Sequence, residues 1–427
     1  MTFLGLLLLL ILLLFTGIPV FAALALFGAG TLLVAEGAFG SLGENLFGSL
    51  NSYLLVSIPL FTLMAQFMIR GKVVDELYNT THTLVRHLPG GLGIATVGAC
   101  TIFAAISGSS VATALTIGAA AIPQMIRYGY SPRYAFGVVG AGGTLGILIP
   151  PSGPMILYGV ISDTSIGQLF IAGVIPGLMI AVLFAVFASL VAWRTGQGKR
   201  EKRASLREIG VALRRSFWAL MLPPFILGGM YFGVFTATEA AGAGALAALL
   251  IAAFVYRNLS WRDVWDSARD AARTSAMLFM ILAAAGVFGH ALTKLQIPDE
   301  IVATVTHYDV SQTGFLLAMM VLIFILGMFL ETISIILITT PVVLPVLHTL
   351  HINPVWYGVL LTINLELALI TPPVGMNLFT IKAISKAPIG EIIRGITPYV
   401  GLLIVGLGIV MAWPDLSLWL ARSAYGQ

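Results

Sequence analysis

Charge is scarce in this sequence: Asp, Glu, Lys and Arg make up 9% of its 427 residues, against roughly 25% in soluble domains. That shortage excludes an ordinary water-soluble globule. Cysteine is scarcer still, with Cys100 alone, which excludes an internal disulfide and a cysteine-built metal cluster. The histidines His82, His87, His290, His307, His348 and His351 form no H-E-x-x-H or comparable ligand spacing. Without a G-x-x-x-x-G-K-[ST] loop the chain does not use ATP through a Walker site, and without a G-x-S-x-G elbow it lacks the usual seat of a serine nucleophile. No stripe of basic and aromatic residues marks a nucleic-acid surface, so no nucleic-acid partner is expected. Strict polar alternation is also missing, which disfavours a lipid-facing β-barrel.

What the sequence has is apolar length. Hydrophobic residues are 59% of the chain, mean hydropathy is +1.00, and runs such as Phe3 to Phe15, Ile175 to Trp193, Leu246 to Val255 and Phe315 to Leu330 belong to segments near the roughly 20 residues that span a bilayer core. The expected class is therefore an all-α polytopic membrane protein in contact with a lipid bilayer. The leucine-rich start has no basic n-region and no A-x-A-like exit, and reads as a retained spanning helix. Arg194 to Arg215 is the one long polar stretch. It carries Arg194, Lys199, Arg200, Lys202, Arg203, Arg207, Arg214 and Arg215 against Glu201 and Glu208, an excess that marks the cytoplasmic side.

The same punctuation occurs twice at one offset. Pro123 and Pro345, Pro150 and Pro372, Pro151 and Pro373, Gly153 and Gly375, Gly173 and Gly395, and Pro176 and Pro398 are each 222 residues apart. Interrupted hydrophobic segments in corresponding positions of two halves point to a secondary transporter and its binding site. Two inverted repeats are expected, residues 1–193 and 236–427, separated by a basic cytoplasmic loop and linker helix at 194–235. Each repeat carries a re-entrant hairpin whose limbs are too short to cross alone, at about 91–125 and 313–348, and a Pro-Pro-broken helix, at about 134–162 and 355–386. The count of crossings puts the N-terminus in the cytoplasm and the C-terminus outside.

Two adjacent prolines stop a helix and free the carbonyls upstream. At membrane depth such carbonyls must be buried in protein, face a watery cavity or coordinate an ion, and unwound segments of this kind hold Na+ in transporters. Ser107, Ser110, Gly146, Ile149 and Pro151 form one candidate set of hard oxygen ligands. Gly327, Thr332, Ala368, Thr371 and Pro373 form a second. The competing account is a plain helix kink packed by small residues. Glu331, at the second hairpin tip, is an ionisable residue at membrane depth and so a functional candidate, with helix capping as the alternative. Glu366 stands between an ion-binding role and a protonated packing role. Thr236 to Glu239 reads as a capping box, and Lys294 and Lys382 as counter-charges or snorkelling residues. An intramembrane hydrolase using Ser107 or Ser110 with His290 is the enzymatic alternative.

Ile106-Ser107-Gly108-Ser109-Ser110-Val111-Ala112, Gly146 to Ser152, Phe235 to Ala241, Gly327 to Glu331 and Thr371-Pro372-Pro373-Val374-Gly375 resemble the large membrane (M) subunit of TRAP transporters, the tripartite ATP-independent periplasmic carriers. The resemblance covers essentially the whole chain. It implies a non-enzymatic, multi-pass protein of the bacterial inner membrane that imports a small organic anion (a dicarboxylate, sialic acid or other sugar acid, or 2-oxo acid) by an elevator movement. The coupling ion would be Na+, two or more per cycle, on the two sets above. A periplasmic substrate-binding protein and a small membrane (Q) subunit would be partners. Ser109, Ser152, Glu331 and Asn377 would meet substrate, although Glu331 stands where the family pattern usually has Asp. The alternative within transport is a carrier of the same architecture that needs no binding protein.

Overall fold

A computed structural model describes residues 5, 9–10, 12–13, 16–36, 40, 42–198 and 201–426 of the chain. Among the described residues the secondary structure is helical throughout. The retained spanning helix expected at the leucine-rich start lies partly outside them; its described portion includes α1 (Val20–Glu36). There follow α2 (Leu42–Leu50), α3 (Ser57–Arg70), α4 (Val73–Val85), α5 (Gly91–Ser107), α6 (Ser110–Arg127), α7 (Pro132–Thr144), α8 (Gly153–Ile161) and α9 (Ile166–Thr195). After the basic stretch come α10 (Leu206–Tyr231), α11 (Ala237–Leu250), α12 (Trp261–Lys294), α13 (Ile297–His307), α14 (Gln312–Gly327) and α15 (Thr332–Thr349). The chain closes with α16 (Pro354–Leu369), α17 (Met376–Ser385), α18 (Ile389–Ala412) and α19 (Asp415–Tyr425).

Among the described residues six helical segments are long and apolar enough to cross a bilayer: Tyr53–Arg70, Ile166–Thr195, Ala237–Val255, Trp261–Lys294, Thr332–Thr349 and Ile389–Ala412. This is a multi-pass membrane protein. Of the shorter apolar helices, Gly91–Ser107 and Pro354–Leu369 are mostly buried in the bundle, whereas Gln312–Gly327 leaves Leu317, Val321 and Ile325 exposed on its outer face. On α16 all residues from Val355 to Leu369 are buried.

Where a helix starts inside a bilayer protein, water is not there to take its first N–H groups, and side chains must do so. Ser109 caps α6 by accepting from Ala112 N at 3.3 Å. Ser131 and Asn353 cap α7 and α16, each just ahead of a proline at the first helical position, where a missing N–H costs nothing. Polar ring groups are likewise spent on helix carbonyls. Tyr134 donates to Ala188 O at 3.0 Å, Tyr158 to Pro354 O at 2.8 Å and the Trp356 indole to Val410 O at 3.1 Å. These bonds tie α7 to α9, α8 to α16 and α16 to α18.

Two sets of neighbours stand out in the packing. The helix α12 lies along α1 and α3, and α3 along α11; the hairpin limb α6 packs on α7 and α17, and α18 on α7. The basic stretch is less of a loop than its composition predicts: α9 runs to Thr195, and α10 begins at Leu206, nucleated by a capping box between Ser205 and Glu208. Helix α12 likewise starts at Trp261, well before its apolar part, because Ser260 and Asp263 form another capping box.

Candidate functional site

The site is built from what two prolines take away. Pro150 and Pro151 offer no N–H to Gly146 and Ile147, the residues four positions earlier. The Ile147 carbonyl is recaptured by the Ser152 hydroxyl, which also caps α8 by accepting from Met155 N at 3.4 Å. In the second half the corresponding carbonyls belong to Ala368 and Leu369. Ala368 O accepts from Thr371 N at 3.3 Å, and the Thr371 hydroxyl turns back to Leu367 O at 2.7 Å. Both Pro-Pro bonds are cis.

Each break is held against its own hairpin tip. Gly153 N donates to Gly108 O at 3.5 Å, and Val374 N donates to Met328 O at 3.2 Å. In the first half backbone is packed directly on backbone. Gly108 sits at φ +60°, and a Cβ there would stand 2.6 Å from Pro151 O; at Gly146 a Cβ would stand 2.4 Å from Ser109 O. Around this contact oxygens cluster: Ser107 Oγ lies 2.9 Å from Thr113 Oγ1, which donates to Ser109 O at 2.8 Å.

Both tips, the first break and the residues flanking the second open onto one cavity of about 310 Å³. Its wall includes Ser107 to Ala112, Ile147 and Pro151 to Pro154 from the first half, and Glu331 to Ile333, Leu369 and Met376 from the second; α3 and α12 supply Thr62, Gln66 and Thr274. The first residues of four helices, Ser110 of α6, Gly153 of α8, Thr332 of α15 and Met376 of α17, all line it. Glu331 is the sole ionisable side chain on the described wall, and no Lys or Arg reaches it. The Glu331 carboxylate accepts from Ser334 Oγ at 3.3 Å and makes no capping bond to the backbone of α15.

Of the residues expected to bind, Ser107, Ser109, Ser110, Pro151, Ser152, Glu331 and Thr332 line this cavity. Gly146 lies immediately behind it, against the backbone of Ser109 and Ser110, and Ile149 is buried. Gly327, Ala368, Thr371 and Pro373 lie off the wall, Gly327 so close to Ala368 that a Cβ on it would stand 2.3 Å from the Ala368 Cβ. Asn377 is off the wall too: it is fully buried and donates from Nδ2 to Ser110 Oγ at 2.8 Å and to Gly140 O at 3.4 Å. All of these residues offer oxygen, from hydroxyl, carboxylate, amide or backbone carbonyl, a donor set that fits a hard monovalent cation. Thr113, Gln66 and Thr274 are absent from the expectations. Thr113 was traceable, four residues after Ser109 on the return limb, whereas Gln66 and Thr274 come from helices that sequence does not place beside the tips. The hydrolase pairing fails on geometry: His290 lines a different cavity, with Asn45, Ser49 and Gly286.

Residues 7–416 match the sequence profile described as the DctM component of the tripartite ATP-independent periplasmic transporter. The chain belongs to that family. It is thus a TRAP transporter large permease, a transporter and not an enzyme. It is 42% identical over 406 residues to the C4-dicarboxylate TRAP transporter large permease DctM of Pseudomonas aeruginosa, covering 94% of this chain and 95% of the relative. It is 36% identical over 393 residues to the ectoine permease TeaC of Halomonas elongata, covering 91% and 92%. Against the isethionate permease DctMQ of Oleidesulfovibrio alaskensis it is 34% identical, covering 95% of this TRAP permease and 64% of the relative. In fold it is similar to the YdaH transporter of Alcanivorax borkumensis, with TM-score 0.63, 15% identity, and 90% and 89% coverage.

Proposed function

We propose that this large permease is the translocating subunit of a Na+-coupled importer of a small organic anion in a bacterial inner membrane. The observation that carries the reading is the convergence of four helix N-termini on one cavity whose described wall has no cationic side chain. Helix N-termini attract anions through unsatisfied N–H groups and the helix dipole. An anion there would be held by those groups and by the hydroxyls of Ser109 and Ser152, with Glu331 meeting a hydroxyl or amino group of the substrate rather than its carboxylate.

The first Na+ would be held by Ser107, Ser110, Gly146, Ile149 and Pro151, the second by Gly327, Thr332, Ala368, Thr371 and Pro373. Bound Na+ supplies the positive charge that the wall lacks. The twofold succession of hairpin, helix, break and helix supports two inverted repeats, and the mutual packing of α1, α3, α11 and α12 supports a scaffold past which the hairpin-bearing core slides as an elevator. Among candidate substrates a dicarboxylate comes first, because the relative at 42% identity is named for C4-dicarboxylates; sialic acid, other sugar acids and 2-oxo acids follow.

Family membership implies a small membrane subunit and a periplasmic binding protein as partners. The length of the DctMQ relative beyond the matched part leaves room for a fused small subunit. The test is uptake into proteoliposomes holding this chain and its small subunit, with the binding protein added outside. Accumulation should require both an inward Na+ gradient and the binding protein. Full accumulation in K+ alone would overturn the coupling, and full transport by this chain alone would overturn the tripartite assignment.

A further inference from the structure

Asn377 follows the second break by four residues, yet its side chain reaches into the first half. Its Nδ2 donates to Ser110 Oγ at 2.8 Å and to Gly140 O at 3.4 Å. Gly140 O can only accept, so the nitrogen must face it, and the amide orientation is fixed by its partner rather than by choice. The other end of the amide, Oδ1, is buried and has no hydrogen-bond partner. The whole residue is 0% exposed. A buried amide oxygen without a donor costs about 1–3 kcal/mol and is rare in well-packed proteins.

We infer that Asn377 Oδ1 is a cation ligand of the first site, contributed by the opposite half of the chain. The inference rests on the Na+-coupled reading above. The amide sits against Ser110, whose hydroxyl belongs to the first candidate set, and an amide oxygen is a hard donor that suits Na+. A substrate role fits less well, since Asn377 is absent from the cavity wall that carries Ser109, Ser152 and Glu331. The consequence is a wiring of the two halves: an ion seated beside the first hairpin tip also holds α17, the helix that leaves the second break. Occupancy of the first site is then felt at the second Pro-Pro segment without any contact between the two ions.

The test is Na+-dependent thermal stabilisation of the purified permease with its small subunit, titrated with NaCl against KCl at constant ionic strength and without substrate. The wild type should be stabilised by Na+; if it is not, the Na+-coupled reading itself fails. Given a wild-type response, Asn377→Ala should raise the half-saturating Na+ concentration at least tenfold. Asn377→Asp, which keeps an oxygen, should leave it within threefold or lower it, and this variant decides the matter where the alanine variant does not fold. An unchanged half-saturation in Asn377→Ala, or a tenfold weakening in Asn377→Asp, overturns the inference.

Discussion

The two tip-and-break units share a plan and differ in finish. In the first, every residue from Leu145 to Ser152 is buried, and glycines at 108 and 146 let backbone meet backbone. In the second, Thr371 and Pro372 are half-buried while Pro373, Val374 and Met376 are exposed. The first tip presents serines already engaged with neighbours; the second presents Glu331, whose one described partner is Ser334. The contrast teaches that duplicated punctuation does not make duplicated sites. The first unit is a packed framework that fixes oxygen positions, and the second is an open one whose polar groups are left for ligand or for closure.

The largest effect should come from breaking the packed side. Gly108→Ala places a side chain at positive φ against Pro151 O. Strain of about 3 kcal/mol corresponds to about a hundredfold loss of Na+-driven uptake if it falls on the transport barrier. In the open unit, trimming the exposed Val374 to alanine should change uptake less than threefold; damage as large as that of Gly108→Ala would erase the comparison. Next in size is Glu331→Gln. Loss of a hydrogen bond to a charged group, about 1.5–3 kcal/mol, should raise the substrate KM tenfold or more with Na+ dependence intact. An unchanged KM would reduce Glu331 to a partner of Ser334.

Smaller shifts are expected from Ser107→Ala and Thr371→Val, which should each raise the Na+ concentration for half-maximal uptake severalfold. The Thr371 effect should be the weaker, because its hydroxyl hydrogen is committed to Leu367 O. An unaltered Na+ response in both variants would remove these residues from the ion sites. The smallest effect lies outside the membrane. The Ser205 backbone N–H, the Ser205 side chain and the Arg86 guanidinium together hold the Glu208 carboxyl below its ordinary range. A depressed folded-state pKa gives stability that is present at neutral pH and lost as pH falls through that pKa. Glu208→Gln should therefore melt slightly lower than wild type at pH 7, and the gap should begin to narrow as pH drops below the usual Glu value of about 4.3 and close only below the depressed folded-state value. A gap that persists in acid would assign the loss to packing.

Class and family were legible because they rest on repeated local signals: scarce charge, apolar runs and five motifs in order. The convergence of Ser107 to Ser110 with Glu331 and Thr332 on one cavity was only partly legible, since the offset of 222 residues pairs positions without saying that the pairs meet. Long-range partners were not legible at all. Nothing in sequence sets Asn377 on Ser110, 267 residues away, or brings Gln66 and Thr274 to the tips, because those contacts follow from how α17, α3 and α12 dock. Helix starts set by capping boxes at Ser205 and Ser260 were available in the residues, but the polar composition around them reads first as loop.

The two tips carry one mechanism only if both face one substrate. Cys100 is buried, so Ser109→Cys and Thr332→Cys can each be made in a Cys100→Ser background and reacted with a charged methanethiosulfonate in proteoliposomes. Substrate with Na+ should slow labelling at both positions by a similar factor, and substrate in K+ should slow neither. Protection at one position with the other unaffected, or equal protection in K+, would contradict a single Na+-dependent site framed by the two tips.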